Sequence, residues 1–222
     1  MTDKQIQIFM DSLLPLLKAA VAFTIPLAII SFVLGLLVAL LTALARLSSF
    51  KPLVWLAQFY VWIIRGTPLL VQLFIIFYGL PKVGIIIDPF PAAVIGFTLS
   101  VGAYGSETIR AAILSIPKGQ WEACYSLGMT YWQALKRAVL PQAARVATPT
   151  LASSFISLVK DTSLAATITV TEMFQVSQQI TAAQYEPLLL YSEAALIYLV
   201  ISSVLSYGQA RLEKHFDRYT AR

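Results

Sequence analysis

From Ala19 to Ala45 the chain runs for 27 residues without a charged side chain, and from Pro89 to Ser106 for another 18. A helix needs about 20 mostly apolar residues to cross the hydrocarbon core, so the first run suffices with some tilt. The runs are continuous and do not alternate over ten-residue segments, which points to helices and away from a barrel. The pattern predicts an all-α integral membrane protein with about five spans, near 19–45, 66–81, 91–110, 146–170 and 187–210. Ahead of them, residues 1–17 read as an extracytoplasmic interfacial helix lying along the membrane, with the first span starting near Lys18. Residues 18–222 then form a single transmembrane domain. Leu53–Ile64 and Leu69–Leu80 are separated by Arg65-Gly66-Thr67-Pro68, whose Gly and Pro break a continuous helix. Lys82–Pro91 reads as a loop, Thr171–Glu186 as a polar stretch, and Lys160-Asp161 as an interruption within the fourth span.

Composition agrees with the pattern. The 222 residues are 58% hydrophobic and 12% charged, against about 25% charged in soluble domains. Asp3 and Asp11 stand where a signal peptide carries basic residues, so the N-terminus does not read as one. The net charge of +5 is no argument for nucleic acid, because the basic residues lie at the ends of apolar runs. Placing residues 111–145 in the cytoplasm puts twelve Lys and Arg inside and three outside (Lys4, Lys18 and Lys82), with Lys160 inside a span. The positive-inside rule then sets the N-terminus out and the C-terminus in. One cysteine, Cys124, excludes an intrachain disulfide and a multi-cysteine metal site, and His215 in the charged tail reads as solvated. No Gly-Lys dipeptide, and so no Walker A phosphate loop, occurs; no nucleophile stands beside a base and an orienting group. The chain therefore reads as a non-enzyme with no cofactor or metal of its own.

The most organised polar segment is 115–141. Ser115-Ile116-Pro117 starts a helix that Gly128 can end, and Thr130 caps a second short helix, Tyr131–Leu140, closed by Pro141. The elbow presents Trp121, Tyr125, Leu127, Tyr131 and Trp132, a docking surface more than a connector. Trp121 and Trp132 suit a membrane boundary equally well. Glu122-Ala123-Cys124, three residues, Gly128, nine residues, then Ala138-Val139-Leu140-Pro141 resembles the EAA loop of ABC importer permeases, E-A-A-x3-G-x9-I-x-L-P. Cys124 replaces the second Ala and Ala138 the Ile, both small apolar changes. Arg65-Gly66-Thr67-Pro68, Ala103-Tyr104 with Glu107, Lys118-Gly119-Gln120-Trp121-Glu122 and Lys160-Asp161-Thr162-Ser163-Leu164-Ala165 resemble the polar amino-acid subfamily (histidine, arginine, glutamine and cystine permeases), the cystine type most of all.

That resemblance implies a type I ABC importer permease fold with a cytoplasmic coupling helix, in a bacterial inner membrane. It implies docking on an ATPase through Glu122, Ala123, Cys124, Gly128, Leu140 and Pro141. It further implies two copies of a cytoplasmic ATPase that binds ATP and Mg, an extracytoplasmic binding protein, a second permease subunit (a homodimer favoured) and surrounding lipid. The expected cargo is a polar amino acid, L-cystine first, with histidine, arginine or glutamine as the alternative. A self-sufficient carrier or channel is the rival, disfavoured by the absence of an internal repeat.

Charges within a span cost roughly 2.5–3.5 kcal/mol each and usually face a bundle interior or a cavity. Lys160 and Asp161 therefore either line the path, where a zwitterion meets both signs, or form a structural ion pair within or between subunits. Thr162 and Ser163 either bind a ligand or satisfy backbone carbonyls. Glu107 pairs with Arg110 at i,i+3, or meets substrate. Gln72 is a weaker path candidate. Glu193, near the outer end of the fifth span, reads as wet and is given no role.

Overall fold

A computed structural model describes residues 2–217, and among these there is no strand. The chain forms α1 (Asp3–Arg46), α2 (Lys51–Gly66), α3 (Leu69–Val83), α4 (Pro89–Leu114) and α5 (Lys118–Ser126). These are followed by α6 (131–161), a 3-10 coil (Thr162–Ile168), α7 (Met173–Gln184) and α8 (Pro187–Asp217). The side chain of His215 lies outside the described part. By length and composition α1 and Pro187–Lys214 of α8 can each cross a membrane, and α2 with α3 make a third candidate, bent by 104° at the break.

The segment expected to lie along the membrane and the span expected from Lys18 are one helix. Thr2 and Gln5 form a capping box, and the helix then runs unbroken for 44 residues, about 66 Å at 1.5 Å per residue. Ile8, Ser12, Leu16 and Ala19 make one buried face spaced three to four apart. Leu16, Ala19 and Ala20 cluster with Met173 and Ile197, so this half of α1 packs on α7 and α8 as part of the bundle.

Three prolines explain the irregular turns. A proline inside a helix lacks the N–H that would bond the carbonyl four residues back, and its ring crowds that carbonyl. Here π-helical segments at Ala20–Thr24, Ile75–Gly79 and Leu135–Val139 each end two residues before a proline (Pro26, Pro81 and Pro141). In each, the amide just before the proline bonds five residues back: Ile25 to Ala20, Leu80 to Ile75 and Leu140 to Leu135. The wider turn lets the helix absorb the proline instead of stopping. For this reason Pro141 does not close a short helix as expected; Tyr131 to Asp161 is one helix. The fourth span also ends sooner than expected, changing to the 3-10 coil at Thr162.

The bundle closes where small residues let α1 meet α4. A Cβ on Gly35 would stand 2.5 Å from Val101, and one on Gly102 would stand 2.6 Å from both Val38 and the Tyr60 hydroxyl. Such contacts let backbones approach without lipid between them. Around them Leu27, Leu73, Phe97, Leu158 and Ile168 form the main core. A second cluster, with Ile113, Ile116, Leu135 and Val139 at its centre, seats the polar elbow on α4 and α6.

Gly35→Val is expected to destabilise the chain by about 1–3 kcal/mol through overpacking. The thermal unfolding midpoint of detergent-purified protein would read this as a clear drop. Gly208→Ala, where an added Cβ meets nothing within 4 Å, should leave the midpoint unchanged or raise it.

Candidate functional site

The elbow is built by local rules. Helix α5 ends at Ser126 with Leu127 as its cap, and Gly128 follows with φ +73°, a left-handed conformation that glycine adopts without Cβ strain. Met129 N–H then bonds Cys124 O at 3.1 Å and Gly128 N–H bonds Tyr125 O at 2.9 Å, the paired bonds of a Schellman ending. Thr130 and Gln133 form a capping box that starts α6. Gln142 Nε2 donates to Gln120 Oε1 at 3.0 Å and ties the two helices together.

Burial divides the motif into an inner and an outer face. Cys124 is buried, consistent with a position that takes only small apolar side chains, while Glu122, Ala123 and Gly128 are exposed. Leu140 packs against the cluster that seats the elbow, and Pro141 is exposed on α6 one turn beyond. Trp121 stacks on Tyr131 with ring centroids 5.4 Å apart, and Trp132 meets Tyr131 edge-on. Partial burial, together with the neighbouring Tyr125, pushes the Tyr131 hydroxyl above its usual pKa, so it stays neutral. The exposed face therefore offers one carboxylate, Glu122, among aromatic rings.

Glu107 sits on α4 but does not pair with Arg110 as expected. Its Oε1 lies 2.8 Å from Arg46 Nη1 in a salt bridge and accepts a hydrogen bond from Arg65 Nη1 at 3.0 Å, and these are the salt bridges among the described residues. Arg46 ends α1 and Arg65 ends α2, so one carboxylate oxygen gathers three helices. Arg110, three residues on, leaves this geometry to residues far away in sequence. Arg65 also lies 5.3 Å over the Tyr104 ring. This clasp fixes α2 just ahead of the bend.

Gln72 fixes the other side of the bend. It is buried, and its Nε2 reaches Ile64 O at 2.8 Å, Thr67 O at 3.1 Å and Thr67 Oγ1 at 2.9 Å. Its amide thus meets carbonyls left open where α2 breaks.

The segment from 160 to 163 is split between two clefts. Lys160 and Ser163 line one of about 500 Å³ with Phe174, Tyr191, Tyr198 and Ser202. Asp161 lines another of about 450 Å³ with Tyr104, Ser100, Ser153, Ser154 and Ser157. Lys160 and Asp161 form no ion pair with each other or with other described residues. Thr162 Oγ1 donates to Val159 O at 2.7 Å and Ser163 Oγ to Lys160 O at 2.8 Å, so both hydroxyls satisfy carbonyls at the helix end. The 3-10 coil ends at Thr169, φ +64°, a conformation that costs a residue other than glycine about 1–2 kcal/mol.

Two carboxyl groups were not foreseen. Glu172 is fully buried and caps α7, accepting from Gln175 N–H at 2.7 Å, Tyr198 OH at 2.9 Å and Thr24 Oγ1 at 3.5 Å. A signal for it exists, since Glu172 precedes an apolar pair and stands three residues before Gln175. Glutamate is, however, a rare cap. Glu193 is 1% exposed, not wet as expected, and lies 2.6 Å from Ser12 Oγ across α1 and α8. No pattern within α8 points to that partner, 181 residues away.

The family model for "Binding-protein-dependent transport system inner membrane component" matches residues 35–218. The chain belongs to that family. It is thus a multi-pass inner membrane component, and its fold is the type I ABC importer permease fold. The L-cystine transport system permease protein TcyB of Bacillus subtilis (strain 168) is 54% identical over 96% of this chain and 91% of its own length. The probable amino-acid ABC transporter permease protein PatM of Vibrio harveyi is 40% identical, over 95% and 97%. Among solved structures, an amino acid ABC transporter crystallised with histidines superposes with a TM-score of 0.83 at 32% identity, covering 97% of this chain and 99% of its own. An inward-facing methionine transporter, MetNI, is 20% identical with a TM-score of 0.70 and shares the fold.

Glu107→Gln leaves two guanidinium groups without a carboxylate. The expected loss is about 1.5–3 kcal/mol, the worth of hydrogen bonds to charged groups. It would be read as a lowered unfolding midpoint of the purified permease. Because Arg65 is half-exposed, the gap from the parent should narrow at high salt.

Proposed function

We propose that this permease carries a polar amino acid, L-cystine first, into the cytoplasm on ATP hydrolysed by partner subunits. The observation that carries the reading is the elbow: an exposed Glu122 among stacked aromatic rings, seated by an apolar cluster on α4 and α6. A rigid, aromatic surface of this kind is suited to fill a groove on another protein. In this reading the elbow docks on one of two cytoplasmic ATPases, which bind the ATP and Mg. An extracytoplasmic binding protein delivers the amino acid. The N-terminus lies outside and the C-terminus inside, which puts the elbow on the ATPase side.

The path runs past Asp161. Its cleft is lined by serine hydroxyls and the Tyr104 ring, polar enough to pass a zwitterion. Glu107 and Gln72 act on the path through the bend between α2 and α3, without touching the cargo. ATP binding biases two packings of the same helices, and the coupling helix transmits that bias. The similarity to TcyB, a cystine permease by name, favours cystine over histidine, arginine or glutamine.

The test is uptake of radiolabelled cystine, glutamine and arginine into proteoliposomes holding this chain, its ATPase and its binding protein. Cystine uptake should require ATP and the binding protein. Glu122→Lys should abolish it while leaving the permease folded. Uptake that persists without the ATPase would make the chain a carrier and end this reading.

A second variant examines the elbow alone. Gly128→Ala forces a Cβ into φ +73°, at a cost of about 1–2 kcal/mol. Reduced ATP-dependent uptake with little change in the unfolding midpoint is expected, because only the exposed turn is strained.

A further inference from the structure

A groove of about 890 Å³ opens where α1 gives way to α2. Leu41, Leu44, Leu53 and Leu56 form its apolar walls, and the Tyr131 and Trp132 rings of α6 stand against them. A hollow of this size, mostly apolar with a few polar groups, is suited to a small ligand. Glu122, Trp121 and Tyr125 line a separate hollow of about 450 Å³, and the two meet only at Leu47 and Tyr131. The acidic face of the elbow is therefore not part of the groove.

The groove lies at headgroup depth. Helix α2 turns by 104° from α3, so with α3 crossing the bilayer α2 lies along its surface. Trp55, Phe59 and Trp62 are exposed on α2 at spacings of four and three, and Trp55 stacks on Phe59 at 5.6 Å. Tryptophan gathers at this boundary, where its ring meets both chains and headgroups.

Charge narrows the choice of ligand. No Asp or Glu stands between Asp11 and Asp88, nor between Glu122 and Asp161. Every residue that lines the groove comes from these two acid-free stretches. Lys51 begins α2 among the lining residues, and Lys136 follows Trp132 by one helical turn. Both are exposed, and neither forms a salt bridge among the described residues. Ser48 Oγ accepts from Phe50 N–H at 3.1 Å, which leaves its own hydrogen to donate. The exposed Ser49 lines the same groove.

Leucine walls below a positive, hydroxyl-bearing mouth match a solute already present in the bilayer surface. We propose that the groove holds an anionic glycerophospholipid, with an acyl chain between α1 and α2 and its phosphate at Ser48, Ser49 and Lys51. A zwitterionic lipid brings a cation of its own to the two lysines, and a water-soluble anion gains nothing from the leucines. The bound lipid joins the α1–α2 turn to the base of α6 and braces the elbow from the membrane side. The importer reading supplies only the leaflet, the cytoplasmic one.

The test uses full-length permease in phosphatidylcholine vesicles with a minor share of lipid brominated on its acyl chains, either phosphatidylglycerol or phosphatidylcholine. Bromine quenches indole fluorescence at contact, and the chain has four tryptophans. Trp55→Phe, Trp62→Phe and Trp121→Phe together leave Trp132 to report the groove. Trp55→Phe, Trp121→Phe and Trp132→Phe leave Trp62, exposed and outside the groove, to report the surrounding lipid. Trp132 should be quenched more strongly by the phosphatidylglycerol, and Trp62 equally by both. Lys51→Gln and Lys136→Gln should each lower the preference at Trp132 about fivefold, the share of one basic side chain at an anionic surface. Ala45→Phe fills the groove from a half-buried position and should abolish the preference. The unfolding midpoint checks that each variant is folded. In the transporter assembled with its ATPase, phosphatidylglycerol should stay bound through gel filtration and be lost in Ala45→Phe. Equal quenching of Trp132 by the two lipids, or a preference that survives both lysine changes, would overturn the proposal. So would an assembled transporter that retains no phosphatidylglycerol, because the groove would then belong to the ATPase. Uptake is not the readout, so this inference can fail while the importer reading stands, and the reverse.

Discussion

Inside hydrocarbon no water is present to bond an open N–H or C=O, so each has to be satisfied by the protein. That constraint organises this structure, because the chain carries 11 prolines. Each interior proline removes a donor and strands a carbonyl. At Pro26, Pro81 and Pro141 the answer is a wider turn just before the ring. At the break before Pro68, a buried glutamine amide covers three acceptors. Beside Pro149, Gln209 of α8 reaches Pro149 O at 3.4 Å and Ser153 Oγ at 2.8 Å, a side-chain tie between α8 and α6. The polar side chains inside the bundle are largely there to complete the backbone.

The same constraint accounts for the buried carboxyl of Glu172. Glu172 sits at a helix start, where open N–H groups and the helix dipole favour an acceptor. It joins α7 to α1 and α8 through Thr24 and Tyr198. Glu107 serves an equivalent purpose at the other end of the bundle, with two arginines in place of backbone amides. In both places a single carboxyl holds three helices that are distant in sequence.

Much of this was legible in the sequence. Apolar runs gave the helices, the Gly-Thr-Pro step gave the bend, and Gly128 with Thr130 gave the elbow to the residue. Those features depend on local chemistry, which a single stretch of chain contains. What could not be read were partners. Arg110 is three residues from Glu107 and looked like its mate, but the helices place Arg46 and Arg65 nearer. Glu193 looked wet because the position of α1 beside α8 is a packing outcome. The helix continues through Lys18 because charge alone does not stop a helix whose next face is buried. Pro141 was read as a stop because the sequence shows the missing donor and not the turn that absorbs it.

Helix α6 joins the elbow to the charged pair near its far end. Thirty-one residues at 1.5 Å make a rod of about 46 Å. Because its base is locked to α5 by Gln142 and by the apolar cluster, a push on the elbow is a torque on the rod. A tilt of about 5° over that length moves the far end by roughly 4 Å, more than a hydrogen bond can stretch. The helix is therefore a lever, and small displacements at the elbow become the making or breaking of contacts near Lys160 and Asp161.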